Sequence, residues 1–332
     1  MSEGMPRSPP PKKHAHAEPF VSIDRNELKE ALVSGGSADF NLKDGMVYNL
    51  KQCPCLGSYF KVLTQKVEQV DFFPISTCPL SMLRRRPCFR ITQDDKSELG
   101  AATADNDVDS VVEVFGGTLR MNMATKDILG VGAFKTTHSA QLTIYPLREA
   151  GIGVCAKHDI VVKRPYIRQN GEAPKAPFLR PTFNDESMIL YREANVFYWA
   201  KALLKHTYDY IDSRIRTAPN PPPFKIPRLR FVDAGLLLAY SERTSGTTLT
   251  KGGTASAMYL AEELIPLSTG EAFVKYIHNG DATPRVFRDA AVDEIAEFLA
   301  FTQHVQYITS EKLTYISDYQ GERVMTRSTN AR

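Results

Sequence analysis

The chain has 332 residues, of which 42% are hydrophobic and 24% are charged, a balance typical of globular domains. The formal net charge is only +3, so neither a nucleic acid nor an acidic membrane surface is expected as a partner. No apolar run approaches the ~20 residues that a membrane-spanning helix needs. Five cysteines without a secretory signal favour reduced thiols and a cytoplasmic location.

The composition divides the chain into three segments. Residues 1–18 are rich in Pro, Lys, His and Ser, which predicts a disordered tail. Residues 19–109 open with a short helical pattern at 24–32 and then offer few signals, so their role is not assigned. Residues 110–332 carry most of the regular patterns and are predicted to form the principal domain.

Four cysteines lie in the second segment, at Cys53, Cys55, Cys78 and Cys88. Structural zinc sites usually use C-x₂₋₄-C pairs, whereas this segment has one C-x-C pair and two separated cysteines. We therefore favour ordinary buried thiols. The alternative is a zinc-dependent interaction module formed by this segment.

The third segment alternates strand and helix patterns. The longest predicted helix covers 187–211, with Asn184 or Asp185 as its cap, and a second helix covers 290–307. Strands are predicted at 111–115, 141–145, 159–163, 235–240, 258–261 and 313–316. Several strands around one long helix predict an α+β domain rather than a regular parallel α/β repeat.

A glycine-rich loop lies between two predicted strands at 130–135, with the sequence GVGAFK. Gly130 and Gly132 have no Cβ, so backbone N–H groups there can approach phosphate oxygens. A strand follows the loop, whereas a Rossmann turn leads into a helix. The loop is therefore interpreted as the flap of a kinase-like nucleotide site. An ordinary hairpin turn is the alternative.

Two charged residues follow in the order that a kinase-like site requires. Lys163 ends an apolar strand, from which its amine can reach α- and β-phosphates. Glu193 lies beside the apolar stripe of the long helix, where a carboxylate needs a cationic partner, and Lys163 is the expected one. The alternatives are a strand-end lysine that extends to solvent and a surface glutamate.

Four later segments make the comparison specific: AEELIP at 261–266, FVKYIHNG at 273–280, AFTQH at 300–304 and DYQG at 318–321. They resemble the hinge, the lysine–tyrosine–asparagine segment, the Phe-x-His helix and the Asp-x-Gln-Gly strand of alpha-type (atypical) protein kinases. With the glycine loop, the resemblance covers roughly 200 residues, from about Phe115 to Gly321. The His-Arg-Asp, Asp-Phe-Gly and Ala-Pro-Glu signatures of conventional kinases do not occur.

The resemblance implies an ATP site between two lobes, a strand-rich N-lobe with one long helix and a C-lobe. Gly130 and Gly132 would cover the phosphates, and Lys163 would bind the α- and β-phosphates while Glu193 orients it. Glu262 would lie at the hinge, where backbone groups meet adenine. The implied activity is transfer of the γ-phosphoryl group of ATP to Ser or Thr of a protein.

The later motifs carry the remaining implied roles. Lys275 would lie near the nucleotide, although four extra residues separate it from the hinge. Asp318 would accept or orient the substrate hydroxyl and, with Gln320, would help hold Mg²⁺. His304 matches a ligand of the family's structural zinc.

The end of the sequence departs from the family pattern. Family members carry a second aspartate, a principal Mg²⁺ ligand, ten positions beyond the residue matched by Asp318, whereas this chain has Ser328 there. The cysteines that would complete a zinc site with His304 do not follow it. We therefore expect a truncated C-lobe, and a catalytically inactive pseudokinase or nucleotide-binding scaffold is the alternative function.

Overall fold

The computed structural model describes residues 25, 26, 28, 29, 66–80, 113–121, 128–167, 178–220, 222–240, 255–265, 273–278 and 280–321. The predicted tail at 1–18 lies outside these residues, as do Cys53, Cys55, Cys88 and Ser328. The remaining cysteine of the second segment, Cys78, is buried. Within the predicted helix at 24–32, the four described residues are helical.

The described strands of the N-terminal part form a closed antiparallel barrel. Strand β2 pairs with β1 on one side and with β4 on the other, which closes the order β2-β1-β6-β7-β5-β4 into a ring, and β3 pairs with the free half of β4. The strands are β1 (Lys66–Pro74), β2 (Phe115–Met121), β3 (Ile128–Val131), β4 (Lys135–Tyr145), β5 (Lys157–Pro165), β6 (Ala234–Tyr240) and β7 (Ala255–Glu263).

The barrel is filled by alternate residues of its strands, because successive side chains of a strand point to opposite faces. One buried apolar cluster results, comprising Val70, Phe72, Leu119, Met121, Ala140, Leu142, Ile144, Ile152, Ile160, Val162, Leu237, Ala239, Ala257, Tyr259 and Ala261. The first strand, which the sequence did not predict, contributes Val70 and Phe72 to it. The folded unit therefore begins at least as early as Lys66, rather than at residue 110.

Helix α1 (Phe183–Thr217) packs across the outer face of β6 and β7. Leu190 and Ala194 contact the residues of these strands that alternate with the barrel interior, including Leu236 and Leu260. Both strands are consequently buried on both faces, which explains their nearly continuous apolar sequences. The helix begins earlier than predicted, because the Thr182 hydroxyl accepts the N–H of Asp185 and caps it.

A second, smaller body contains α2 (Ala290–Thr309) and the short strands β8 (Val274–Lys275), β9 (Ile277–His278), β10 (Asp281–Pro284) and β11 (Gln320–Gly321). Its apolar cluster joins Tyr276, Ile277 and Tyr319 to the buried face of α2. The predicted strand at 313–316 is not formed. The α+β class with one long helix is confirmed, and neither helix in the described part of the chain is apolar enough to span a bilayer.

Candidate functional site

The glycine loop forms a tight β-hairpin between β3 and β4. The N–H of Gly132 donates to the carbonyl of Lys135 at 2.8 Å, and the Tyr166 hydroxyl donates to the Gly132 carbonyl at 2.8 Å. An added Cβ would meet nothing within 4 Å at Gly130 and only an ordinary contact at 3.5 Å at Gly132. Because packing demands glycine at neither position, the residue type there fits a loop that a ligand approaches closely.

Lys135, the first residue of β4, ties this hairpin to the long helix. Its ammonium lies 2.5 Å from the Glu193 carboxylate of α1, and the two side chains are partly exposed, at 21% and 35%. A positively charged side chain therefore lies at the base of the glycine hairpin. The sequence motifs did not single out Lys135, although its position immediately after the glycine turn was visible.

Lys163 lies in β5, and its ammonium is 2.6 Å from the Glu262 carboxylate of β7. The expected partner, Glu193, is instead paired with Lys135, so that expectation is corrected. The register explains the difference. Lys163 lies opposite Leu260, and the side chain of Glu262, two residues further along β7, points to the same face.

Glu262 has a further feature that is relevant to ligand binding. It is the penultimate residue of β7, and its side chain is only 10% exposed. Its Oε2 atom accepts a hydrogen bond from the Lys163 ammonium, whereas its Oε1 atom makes no hydrogen bond with any residue that the structure describes. A buried acceptor without a donor costs free energy, which a bound ligand or water can offset.

A buried polar network fixes the strand end that carries Lys163. The Arg164 guanidinium donates to Glu186 Oε1 at 2.6 Å, and the other oxygen of Glu186 accepts the N–H of Met258 at 3.0 Å. Arg180 donates to the carbonyls of Arg164 and Pro165. Burial and the neighbouring Arg164 charge lower the pKa of Arg180 to about 10. These contacts join β5, β7 and the start of α1.

Asp318 and Lys275 form a second lysine–carboxylate pair, in the smaller body. The Lys275 ammonium lies 2.8 Å from Asp318 Oδ1, and both side chains are partly exposed, at 31% and 39%. Gln320 lies opposite Lys275 in the β11–β8 pairing. The structure therefore brings Lys275, Asp318 and Gln320 together, three of the residues expected around the nucleotide. The backbone of Asp318 is left-handed, with φ of 64°.

A series of contacts connects the strand that carries Glu262 to the segment that carries Asp318. Glu262 lies opposite Ala234 of β6, and Phe231 precedes Ala234 by three residues, at most about 11 Å of chain. The Phe231 ring stacks on Tyr319, with centroids 6.3 Å apart, and Tyr319 follows Asp318. A short chain of contacts therefore links one pair to the other.

The metal predictions have different outcomes. Within the described ranges, no group of three or more His, Cys, Asp or Glu side chains could hold a metal ion. His304 is exposed on α2, so the described residues do not fit the expected zinc site. Asp318 and Gln320 do carry the oxygen donors that Mg²⁺ prefers, and that ion usually takes its other ligands from phosphates and water.

The fold and the site define an α+β domain with a glycine hairpin on its barrel and a lysine–aspartate pair on its second body. Among solved structures, the chain is similar to the alpha-kinase domain of myosin-II heavy chain kinase A in complex with adenosine. The TM-score is 0.37 and the identity 13%, over 63% of this chain and 70% of that one.

A second similar structure is the inactive alpha-kinase domain of myosin heavy chain kinase A in complex with ATP. The TM-score is 0.36 and the identity 13%, over 63% of this chain and 72% of that one. No family model and no curated protein matches the chain. Its own residues are therefore the basis for assigning an activity.

Proposed function

We propose that the protein is an ATP-dependent serine/threonine protein kinase of the alpha-kinase type. Two lysine–carboxylate contacts, Lys163–Glu262 and Lys275–Asp318, carry the proposal. Phosphoryl transfer requires mainly positioning and charge neutralisation, and cations facing an anionic triphosphate supply both.

In this proposal the glycine hairpin covers the phosphates, and its backbone can approach them closely because Gly130 and Gly132 have no Cβ. The N–H of Gly132 is used within the hairpin, where it donates to the Lys135 carbonyl. Lys163 neutralises the α- and β-phosphates, and Lys135, at the base of the hairpin, adds a second positive charge. Both lysines are held by carboxylates, Glu262 and Glu193 respectively. Because each lysine is positioned before the nucleotide binds, less side-chain entropy is lost on binding.

Asp318 acts at the transferred phosphoryl group. Its carboxylate accepts the proton of a Ser or Thr hydroxyl as that oxygen forms a bond to the γ-phosphorus, and the bond to the β-phosphate oxygen breaks to release ADP. Lys275 holds the carboxylate in place and contributes positive charge beside it. Mg²⁺, held by Asp318 and Gln320 together with the phosphates, would supply further neutralisation.

The acceptor in this proposal is a protein of the cytoplasm. The near-neutral net charge of +3 offers no basis for binding nucleic acid or an anionic membrane. The free thiol of Cys155 fits that reducing compartment. A nucleotide-binding scaffold is the second candidate, and one observation favours it. Ser328 stands where the family pattern has its second aspartate, a principal Mg²⁺ ligand.

Two matched substitutions separate these candidates in the full chain. Lys163→Met and Asp318→Asn are compared with Lys205→Met and Asp209→Asn, which alter an exposed ion pair on α1. Binding is measured with a fluorescent ATP analogue, and transfer with Mg-ATP and Ser/Thr peptides as well as the protein itself.

A kinase loses transfer by about 100-fold or more in Asp318→Asn while nucleotide binding changes little, because general-base catalysis typically contributes that much. Lys163→Met weakens binding as well. Nucleotide binding without transfer in the unaltered protein would support the scaffold. Equal transfer in all five proteins would refute the assignment of the site.

A further inference from the structure

Gln306 is a polar residue at a fully buried position of α2, where an apolar residue would be expected. Its exposed fraction is 0%, and it lies between α1 and the segment that carries Asp318. A buried amide is costly unless its hydrogen-bonding groups are satisfied. The identity of its partners therefore indicates why glutamine is present.

The side chain of Gln306 makes three hydrogen bonds, two of them to the segment around Asp318 and one to α1. Its Oε1 atom accepts the N–H of Ile316 at 2.8 Å. Its Nε2 atom donates to the hydroxyl of Thr207 in α1 at 3.2 Å and to that of Tyr319 at 3.4 Å. Both amide protons and the carbonyl oxygen are thus used, which is nearly the full capacity of a glutamine side chain.

Neighbouring residues of α2 complete the same attachment. Gln303 donates to the carbonyl of Ile316 at 2.7 Å, so both backbone polar groups of Ile316 are bound by glutamines. The Thr302 hydroxyl lies 3.2 Å from that of Tyr319. On the opposite side, the Tyr319 carbonyl accepts the N–H groups of Tyr276 and Ile277, at 2.9 and 3.3 Å.

Asp318 stands between these two anchored residues in a conformation that needs support. Its φ of 64° is in the left-handed region, which residues other than glycine adopt only at a cost in free energy. A strained backbone persists where the surrounding structure over-determines it. The anchors at Ile316 and Tyr319, together with the Lys275 ion pair, provide that constraint.

We infer that Gln306 is a positioning residue, which holds the left-handed Asp318 through Ile316 and Tyr319 and aims its carboxylate at the reaction centre. The catalytic part of this inference rests on the proposed function. Its structural part, the attachment of the Asp318 segment by Gln306, can be tested separately. Gln306 also donates to Thr207 of α1. The Asp318 segment is therefore connected through Gln306 to the long helix that packs on the barrel.

Two substitutions remove the attachment in different ways. Gln306→Met keeps the side-chain volume and deletes all three contacts. Tyr319→Phe keeps the ring that stacks on Phe231 and deletes only the hydroxyl contacts, so it is the safer variant for folding. The matched control is Thr309→Val, which deletes a hydrogen bond between α2 and His206 of α1 without touching the Asp318 segment.

Hydrogen–deuterium exchange of the nucleotide-free full chain provides the structural readout. The amides of Tyr276 and Ile277 donate to the Tyr319 carbonyl, so they report the position of the segment without being bonded to Gln306. We expect about tenfold faster exchange there in Gln306→Met and Tyr319→Phe, and no change in Thr309→Val. Unchanged exchange in Gln306→Met and Tyr319→Phe overturns the inference, whatever the activity.

Kinetics test the functional part. Phosphoryl transfer from Mg-ATP should fall about tenfold in kcat in both variants, with the dissociation constant of the fluorescent ATP analogue unchanged within about twofold. Faster exchange with unchanged kcat overturns the positioning role. If the unaltered protein transfers no phosphoryl group, the proposed function fails, and the exchange data alone decide whether Gln306 holds Asp318.

Discussion

Lys135 and Glu193 connect the glycine hairpin to the long helix through an ion pair 2.5 Å long. The expected partner of Glu193 was Lys163. In the structure Glu193 positions Lys135 instead, and Lys163 is paired with Glu262. The hairpin is therefore attached at its base to α1, while its turn remains open.

The first prediction concerns this attachment. In Glu193→Gln the hairpin loses an anchor, so the affinity for the fluorescent ATP analogue should fall about fivefold. The thermal midpoint should change little, because a partly exposed ion pair contributes only about 0.2–1 kcal/mol to stability. The exchanged pair, Lys135→Glu with Glu193→Lys, should restore the anchor but not the positive charge under the hairpin. Full recovery of affinity in that double variant would contradict a direct role for Lys135.

The second prediction concerns the hairpin glycines. Gly130→Ala should leave the free energy of unfolding within about 0.5 kcal/mol of the original, because the new methyl group meets no atom and the conformation is not glycine-specific. Nucleotide affinity should nevertheless fall, since the methyl group would stand between the backbone and the phosphates.

Gly117→Ala supplies the contrast for the same experiment. A Cβ at Gly117 would lie 2.1 Å from the carbonyl oxygen of Thr143 in the adjacent strand, so this variant should unfold at markedly lower urea concentration. An affinity for the ATP analogue that is unchanged in Gly130→Ala would show that no ligand approaches the hairpin closely.

The third prediction concerns the buried pair between Arg164 and Glu186. Glu186 is 1% exposed, and its replacement in Glu186→Gln leaves a buried guanidinium without its counter-charge. Removing one member of a buried pair typically costs about 3–5 kcal/mol, so the urea midpoint should fall strongly. Glu297→Gln, at an exposed position of α2, is the control and should change stability by less than about 0.5 kcal/mol.

Much of the barrel could be predicted from local patterns. The alternation in Gln141–Tyr145 and the apolar run around Val161 and Val162 indicated strands, and both lie in the observed sheet. Strand β1 escaped prediction because its inward positions begin with Glu68, which interrupts the apolar alternation. That glutamate is accommodated because it accepts a hydrogen bond from the Tyr259 hydroxyl, a residue 191 positions away.

Only part of the candidate site could be predicted from the sequence. The motifs assigned Lys275 and Asp318 to the nucleotide site without predicting their contact, which arises because β8 pairs with β11. The partner of Lys163 could not be predicted, because it depends on the register in which β5 meets β7. The left-handed backbone of Asp318 was not predicted either, and the two glutamines that anchor the neighbouring Ile316 (Gln303 and Gln306) lie 10 to 13 residues before it.

The fourth prediction concerns pH and the packing of α1 against α2. His206 is buried, and its Nε2 atom lies 3.0 Å from the Thr309 hydroxyl. Burial is the main cause that lowers the pKa of His206 below its ordinary value, with a smaller lowering by Lys205 that opposes the effect of Asp209. The folded protein therefore binds the proton less readily than the unfolded chain, whose histidine titrates near about 6.5. Stability is complete above that pH and falls as the pH drops towards the folded pKa, by at most about 1.4 kcal/mol per pH unit.

Urea unfolding between pH 7.5 and 5 checks this dependence in the original protein and in His206→Asn, which cannot titrate. The original should lose stability over that range, and the variant should lose less. Glu263, whose pKa is lowered chiefly by its Arg230 hydrogen bond, also contributes stability that is lost in acid, but from about its ordinary value of 4.5 downward. The interval from 6.5 to 5 therefore separates the histidine from this carboxylate. Equal slopes there in both proteins would show that His206 binds protons equally in the folded and unfolded chain, so that folding does not lower its pKa.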